Sequence, residues 1–164
     1  MQNDCSAEAL RLLKQRGEKV SFAESLTGGL IAASFIANAG ASAVIDESYV
    51  TYAPESKIRL LGVSPETVQR DGVVSARCAA EMAEGVRRIS HAHWGVSATG
   101  LAGPDGGTEE LPVGTVFIGV AGKDGVQAHE CHFEGDRPSV RQQAAARALE
   151  LLALALRQAL KERE

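Results

Sequence analysis

The sequence predicts a three-layer α/β/α sandwich built on a mixed, mostly parallel sheet, with a C-terminal hairpin followed by a long helix. Two patterns carry that expectation. Short strand-like runs rich in Val, Ile, Phe and Thr are separated by stretches with helical apolar spacing, the alternation that joins parallel strands through crossovers. Near the C-terminus, two further strand-like runs flank Gly122-Lys123-Asp124-Gly125, and an Ala/Leu-rich helical stretch closes the chain.

Each element follows from local residues. The 5–16 segment places Ala9, Leu10, Leu12 and Leu13 on one helical face, and Gly17 ends it. Residues 19–23 read as a strand and 27–38 as a helix stopped by Asn38-Ala39-Gly40. Val, Ile, Tyr and Thr over 44–52 suggest a second strand. Pro54 suits a first helical turn and opens a short helix to Leu61. Ser64-Pro65-Glu66-Thr67 begins another turn or helix, and Ser75 caps a helix to Ile89 that gathers Cys78, Met82 and Val86 on one face. Residues 93–99 form a strand running into Gly100-Leu101-Ala102-Gly103-Pro104-Asp105-Gly106-Gly107. The hairpin strands span 113–121 and 126–133. Asp136 or Pro138 starts the last helix, which should bury Val140, Ala144, Ala148, Leu151, Leu152 and Ala155.

Composition narrows the function classes. With 45% hydrophobic and 23% charged residues, the chain matches an ordinary globular protein and is most simply one domain, 1–164. A net charge of −4 and the lack of a long basic stretch disfavour nucleic acid as a partner. No apolar run is long enough to span a bilayer, and no secretory signal opens the chain, so no membrane partner is expected. Cys5, Cys78 and Cys131 are odd in number and widely spaced, as expected of reduced thiols in a cytoplasm. The last helix or the hairpin edge could serve as a subunit interface of a homo-oligomer.

Ser25 is the leading candidate for chemistry, in Ala23-Glu24-Ser25-Leu26-Thr27-Gly28-Gly29 between a strand and an apolar helix. If the strands at 19–23 and 93–99 are parallel, the loops after them share the sheet edge where open α/β sheets bind ligands. A helix opening at Thr27 leaves unpaired N–H groups and a positive dipole end beside the hydroxyl. Gly28 and Gly29 let a ligand approach that backbone closely. The plainer reading is that Ser25 and Thr27 cap the helix.

A serine nucleophile needs a proton acceptor. His91 and His93 fall at the far end of their strand, and His129 and His132 lie in the hairpin. His129-Glu130-Cys131-His132 looks like a metal cluster, but successive strand residues face opposite ways, so no metal is expected there. Lys57 remains, on the short helix after Tyr49-Val50-Thr51-Tyr52. To act as a base it must be neutral, with an amine pKa well below the ordinary lysine range, as partial burial and a helix end can provide. Its plainer reading is a solvated surface lysine. Tyr52 could orient the lysine or relay its proton. Arg137 and Arg141 oppose the dipole at the start of the last helix, which makes sense if an anion docks there. The glycine-rich loop 100–107 is a competing phosphate cradle, with Asp105 and Glu109 as turn and solvent residues.

The motifs around Ser25, Val50-Thr51-Tyr52 with Lys57, the loop 100–107, Pro112-Val113-Gly114-Thr115-Val116 and Gly135-Asp136-Arg137 together resemble the CinA C-terminal domain family. The resemblance runs in order along nearly the whole chain and suggests a stand-alone form lacking the larger N-terminal domain. It implies an amidohydrolase that converts nicotinamide mononucleotide (NMN) to nicotinic acid mononucleotide and ammonia without a metal or cofactor. The family's serine–lysine dyad transfers to Ser25 and Lys57, and its tyrosine to Tyr52. Substrate would then meet Glu24, Thr27, Gly28, Gly29, Thr99, Gly100, Ala102, Gly103, Arg137 and Arg141. N–H groups near Thr27, Gly28 and Gly29 would hold the oxyanion. Alternatives are a nucleotide-binding or interaction module without turnover, and an amidase for another substrate.

Overall fold

The computed structural model describes residues 4–162. Helix α1 (Cys5–Arg16) begins on the Asp4 carboxylate, which accepts from Ala7 N–H, and ends where Gly17 turns left-handed, as its sequence predicts. There follow β1 (Val20–Glu24), α2 (Leu30–Ile36), a 3-10 turn (Ala41–Ala43), β2 (Tyr49–Val50), α3 (Pro54–Leu61), α4 (Pro65–Arg70) and α5 (Ala76–Ile89). The chain continues through β3 (Trp94–Gly100), β4 (Thr115–Gly122), β5 (Gly125–His132) and the 25-residue α6 (Arg137–Lys161).

The five strands lie in the order β2-β1-β3-β4-β5. β1 pairs parallel with both β2 and β3, whereas β4 reverses against β3 and β5 folds back on β4 as the expected hairpin. Strand alternation sorts side chains between two layers. Val20, Phe22, Val96, Ala98, Val116 and Ile118 face α1, α2 and α6, where Leu13, Phe35, Val140 and Leu152 complete the main core. Ala23 faces the other way, toward Leu61, Cys78, Met82 and Val86 of α3 and α5. Ser97 on that second face is small enough for α5 to approach, and its Oγ donates to Ala79 O while accepting from Gly119 N–H.

Two elements are shorter than their sequence suggests. The 44–52 run yields only the two-residue β2, because serine side chains stand in for the ladder: Ser21 Oγ donates to Glu47 O and Ser48 Oγ to Phe22 O. Helix α2 opens at Leu30 rather than at Thr27, because Gly28 and Gly29 hold φ of 58° and 106°, outside the right-handed helical region. Among the described residues no helix is long and apolar enough to cross a membrane.

Candidate active site

The parallel pairing of β1 and β3 sets the site. The register Glu24↔Ala98 brings both strands to their ends together, and Ser25 N–H donates to Ala98 O at 3.0 Å. On the other side Thr51 N–H donates to Glu24 O at 2.9 Å, so three chain segments meet around Ser25. The side chain of Glu24 is fully buried and turns toward α2, where its two oxygens accept from Ile31 and Ala32 N–H at 2.9 and 3.1 Å. It caps the helix rather than facing a substrate, because a carboxylate satisfies two otherwise orphaned donors at the positive helix end.

Residues 25–29 form a turn closed by Gly28 N–H on Ser25 O and Leu30 N–H on Thr27 O. Gly28 N–H is therefore already occupied, which removes it from the expected oxyanion donors. The N–H groups of Leu26, Thr27 and Gly29 find no acceptor among the described residues. Thr27 itself is fully buried, and its hydroxyl is also without a partner there.

Lys57 reaches this turn from α3. Pro54 occupies the first turn of that helix, which fixes the helix start and directs Lys57 inward. Its side chain is fully buried (0% exposed) beside Ser25 (8%), so it is not the solvated lysine of the plainer reading. Lys57 Nζ lies 3.0 Å from Ser25 Oγ, 2.5 Å from Thr51 O and 3.2 Å from Tyr52 O. Burial lowers its pKa from the ordinary lysine value, opposed only by charge on Cys78 when that thiol is ionised. Burial in turn pushes the Cys78 thiol up to about 11, so that sulfur remains protonated near neutral pH.

Tyr52 takes a different part from the one its side chain suggests. Its carbonyl, not its hydroxyl, contacts Lys57, while its ring is 63% exposed and its OH accepts from Arg137 Nη2 at 3.2 Å. Arg137 also donates through Nη1 to Gly103 O at 2.7 Å, bridging the two loops at the mouth of the site. Arg141 donates to Leu26 O at 2.8 Å and Thr27 O at 3.1 Å, holding the Ser25 turn from the opposite layer.

The 100–107 loop stands nearby, but much of it is structurally engaged. Thr99 is buried and its hydroxyl donates to Val73 O at 2.8 Å. A side chain at Gly100 would collide with Thr115 O, and Leu101 is tied to Gly114 and Thr115 through its main chain. Ala102 is buried in the main core, and the Gly103–Pro104 peptide is cis. Gly103 contributes its carbonyl to Arg137.

Sequence reasoning missed Thr51, which acts through a carbonyl that residue type does not advertise, and Cys78, whose helical spacing signals only core. His93 Nδ1 accepts from Lys19 N–H, and His132 pairs with Glu130 at 3.2 Å, both away from Ser25. Among the described residues no group of three or more His, Cys, Asp or Glu is placed to hold a metal ion.

Fold and site together define an α/β protein with a buried serine–lysine pair at the carboxyl end of parallel strands. The chain belongs to the CinA C-terminal domain family, whose model matches residues 2–156. It is 52% identical over 145 residues to a CinA-like protein of Anaeromyxobacter sp. (strain K), covering 88% of this chain and 36% of that one. The chain thus spans about a third of the length of the curated relatives it matches. Among solved structures it resembles the competence/damage inducible protein CihA of Agrobacterium tumefaciens, with 40% identity and a TM-score of 0.87 over 96% of this chain and 98% of that one. A CinA superfamily protein of Klebsiella pneumoniae gives 33% identity and a TM-score of 0.91, covering 96% and 99%.

Proposed function

We propose that the chain hydrolyses the carboxamide of NMN to nicotinic acid mononucleotide and ammonia, with Ser25 as nucleophile and Lys57 as its base. The observation that carries this reading is the environment of Lys57 Nζ, with two carbonyls and one hydroxyl around a fully buried amine. A neutral amine has two N–H donors and one lone pair. With two N–H groups on Thr51 O and Tyr52 O, the third position of Nζ meets Ser25: as an ammonium it donates to Oγ, and once deprotonated its lone pair takes the Ser25 proton. A burial-lowered pKa favours the deprotonated state.

Ser25 Oγ attacks the carboxamide carbon while its proton passes to Lys57. The tetrahedral oxyanion is held by free N–H groups of the turn at Leu26, Thr27 and Gly29, an effect worth about 3–4 kcal/mol for one donor. Lys57 returns the proton to the departing nitrogen, which leaves as ammonia, and the acyl group remains on Ser25. Water then attacks this ester, gives a proton to Lys57, and Lys57 reprotonates Ser25 as the acid is released. The N–H donors of Arg137 and Arg141 that are not held by carbonyls or Tyr52 supply positive charge for the phosphate. That remote charge positions the ring against Ser25.

Family membership supports the substrate and the Ser25–Lys57 geometry supports the reaction class, and the test separates the two. Purified protein should release ammonia from NMN, and Ser25→Ala and Lys57→Ala should each lose at least about a thousandfold in rate while retaining the circular dichroism of the parent. Normal turnover by either variant would remove the dyad. Turnover of another carboxamide but not of NMN would keep the dyad and change the substrate.

A further inference from the structure

We propose that the open edge of β5 pairs with β5 of a second copy of this chain, antiparallel about a two-fold axis at His129, so that two five-stranded sheets join into one. The sheet's two edges are unlike. At one edge β2 is only two residues long, which leaves little backbone to pair. At the other, β5 runs for eight residues, and no strand among the described residues lies beyond it.

The backbone of this edge is regular and unguarded. β4 and β5 stay in step from Gly122↔Gly125 to Thr115↔His132 without a bulge, and β5 contains neither Lys nor Pro, which commonly blunt an edge. The two-residue turn at Lys123-Asp124 makes Gly122↔Gly125 a hydrogen-bonded pair, and such pairs alternate along an antiparallel ladder. Gln127, His129 and Cys131 therefore bond inward to β4. Phe133 N–H on Gly114 O, at 2.9 Å, continues the same alternation. The N–H and C=O groups of Val126, Ala128, Glu130 and His132 point outward instead.

That alternation and the side chains select the occupant and its register. A strand paired with its own copy must match outward positions with outward positions. Centred on His129, Val126 faces His132 of the second copy and Ala128 faces Glu130 of the second copy. Every outward group of β5 is then satisfied, and no like charges stand opposed. Any other centre leaves outward groups at one end of β5 with no strand opposite. Centring on Glu130 would also set two carboxylates directly against each other, which is destabilising. At the His129 axis two imidazoles meet, and burial, with the charge of Arg147, lowers their pKa, so they meet uncharged near neutral pH.

Sedimentation equilibrium should show the parent as a dimer at micromolar concentration. Glu130→Pro deletes an outward N–H and leaves every inward bond to β4, so it should raise the dimer dissociation constant at least about tenfold while keeping the parental circular dichroism. Glu130→Gln, which keeps the N–H, should associate like the parent. The register has its own reporter. Gln127 stands opposite Cys131 of the second copy in a non-hydrogen-bonded pair, where Cα atoms approach to about 4.5 Å, within disulfide range. Mild oxidation should therefore link Gln127→Cys into a covalent dimer, each bond forming as two thiols give two protons and two electrons to the added oxidant. The parent and Gln127→Cys/Cys131→Ala should stay unlinked. A parent that is monomeric at every concentration, leaving the edge to a strand of a different chain, would overturn the proposal. So would unchanged association in folded Glu130→Pro, an equal loss in Glu130→Gln, or a crosslink that fails to form or forms in either control.

Discussion

A lysine amine enclosed by protein holds its proton less tightly than one in water, because burial removes the solvation that stabilises the ammonium. For Lys57 this lowering coincides with the contact to Ser25, which turns a local pKa shift into a kinetic expectation. The proposed base works only when neutral, so kcat/KM for amide hydrolysis should rise with pH through the Lys57 titration. That limb should lie below the 10.5 of an ordinary lysine. Lys57→Arg, which stays protonated, should be inactive throughout, and pH–rate profiles of both proteins check this; a parent limb at the ordinary lysine value would contradict it. Ser25 and Lys57 were legible in sequence because each stands just beyond a strand, beside a turn or a proline that fixes a helix start. Tyr52 was expected to act on the lysine through its side chain, whereas its contact with Lys57 runs through a carbonyl that every residue possesses.

Helix α2 begins on a side chain from the preceding strand, and that arrangement links the scaffold to the nucleophile. Glu24 accepts two N–H groups from α2 while its neighbour Ser25 is held by Ala98, so the cap and the turn form one unit. Glu24→Gln leaves one acceptor for two donors and should cost about 1–3 kcal/mol, read as a fall in Tm. From the other side, α6 reaches the same turn through Arg141, whose fork spans two carbonyls. Lysine offers a point charge that cannot hold both in the same geometry. Arg141→Lys should therefore keep the fold but lower kcat on the order of tenfold to a hundredfold, measured with saturating substrate. The sequence concealed this cap because the carboxylate acts seven residues ahead of the first N–H it accepts, and ordinary caps lie next to their helix. It also overstated β2, since Ser21 and Ser48 satisfy with hydroxyls what a longer strand would satisfy with its backbone.

At the scale of the whole molecule, hydrophobic periodicity was enough to give the layers, because burying one face of each helix against a sheet leaves few arrangements. The loops after β1 and β3 were expected to share one edge if those strands ran parallel, and the register shows that they do. Periodicity could not show that the same layering would enclose a lysine completely. A fully buried amine affects the stability of the entire fold, because unfolding returns it to water, where it is protonated up to about 10.5. Its folded pKa is lower, so between the two values the unfolded chain binds the extra proton. Lys57 therefore destabilises the fold most at and below its folded pKa, and that penalty fades as pH rises toward 10.5. Lys57→Met removes the titration along with the hydrogen bonds to Thr51, Tyr52 and Ser25. The lost hydrogen bonds set a constant offset between the two proteins, while the ionisation sets how that offset changes with pH. Groups that do not interact with Lys57 titrate alike in both proteins and cancel in the difference, and a Cys78→Ala background in both removes the one thiol whose titration Lys57 shifts. Denaturant unfolding of parent and Lys57→Met across the neutral to alkaline range should show the parent gaining stability relative to the variant as pH increases. A difference that stays flat would mean that burial leaves the Lys57 amine as basic as any surface lysine, and the proposed base would lose its physical footing.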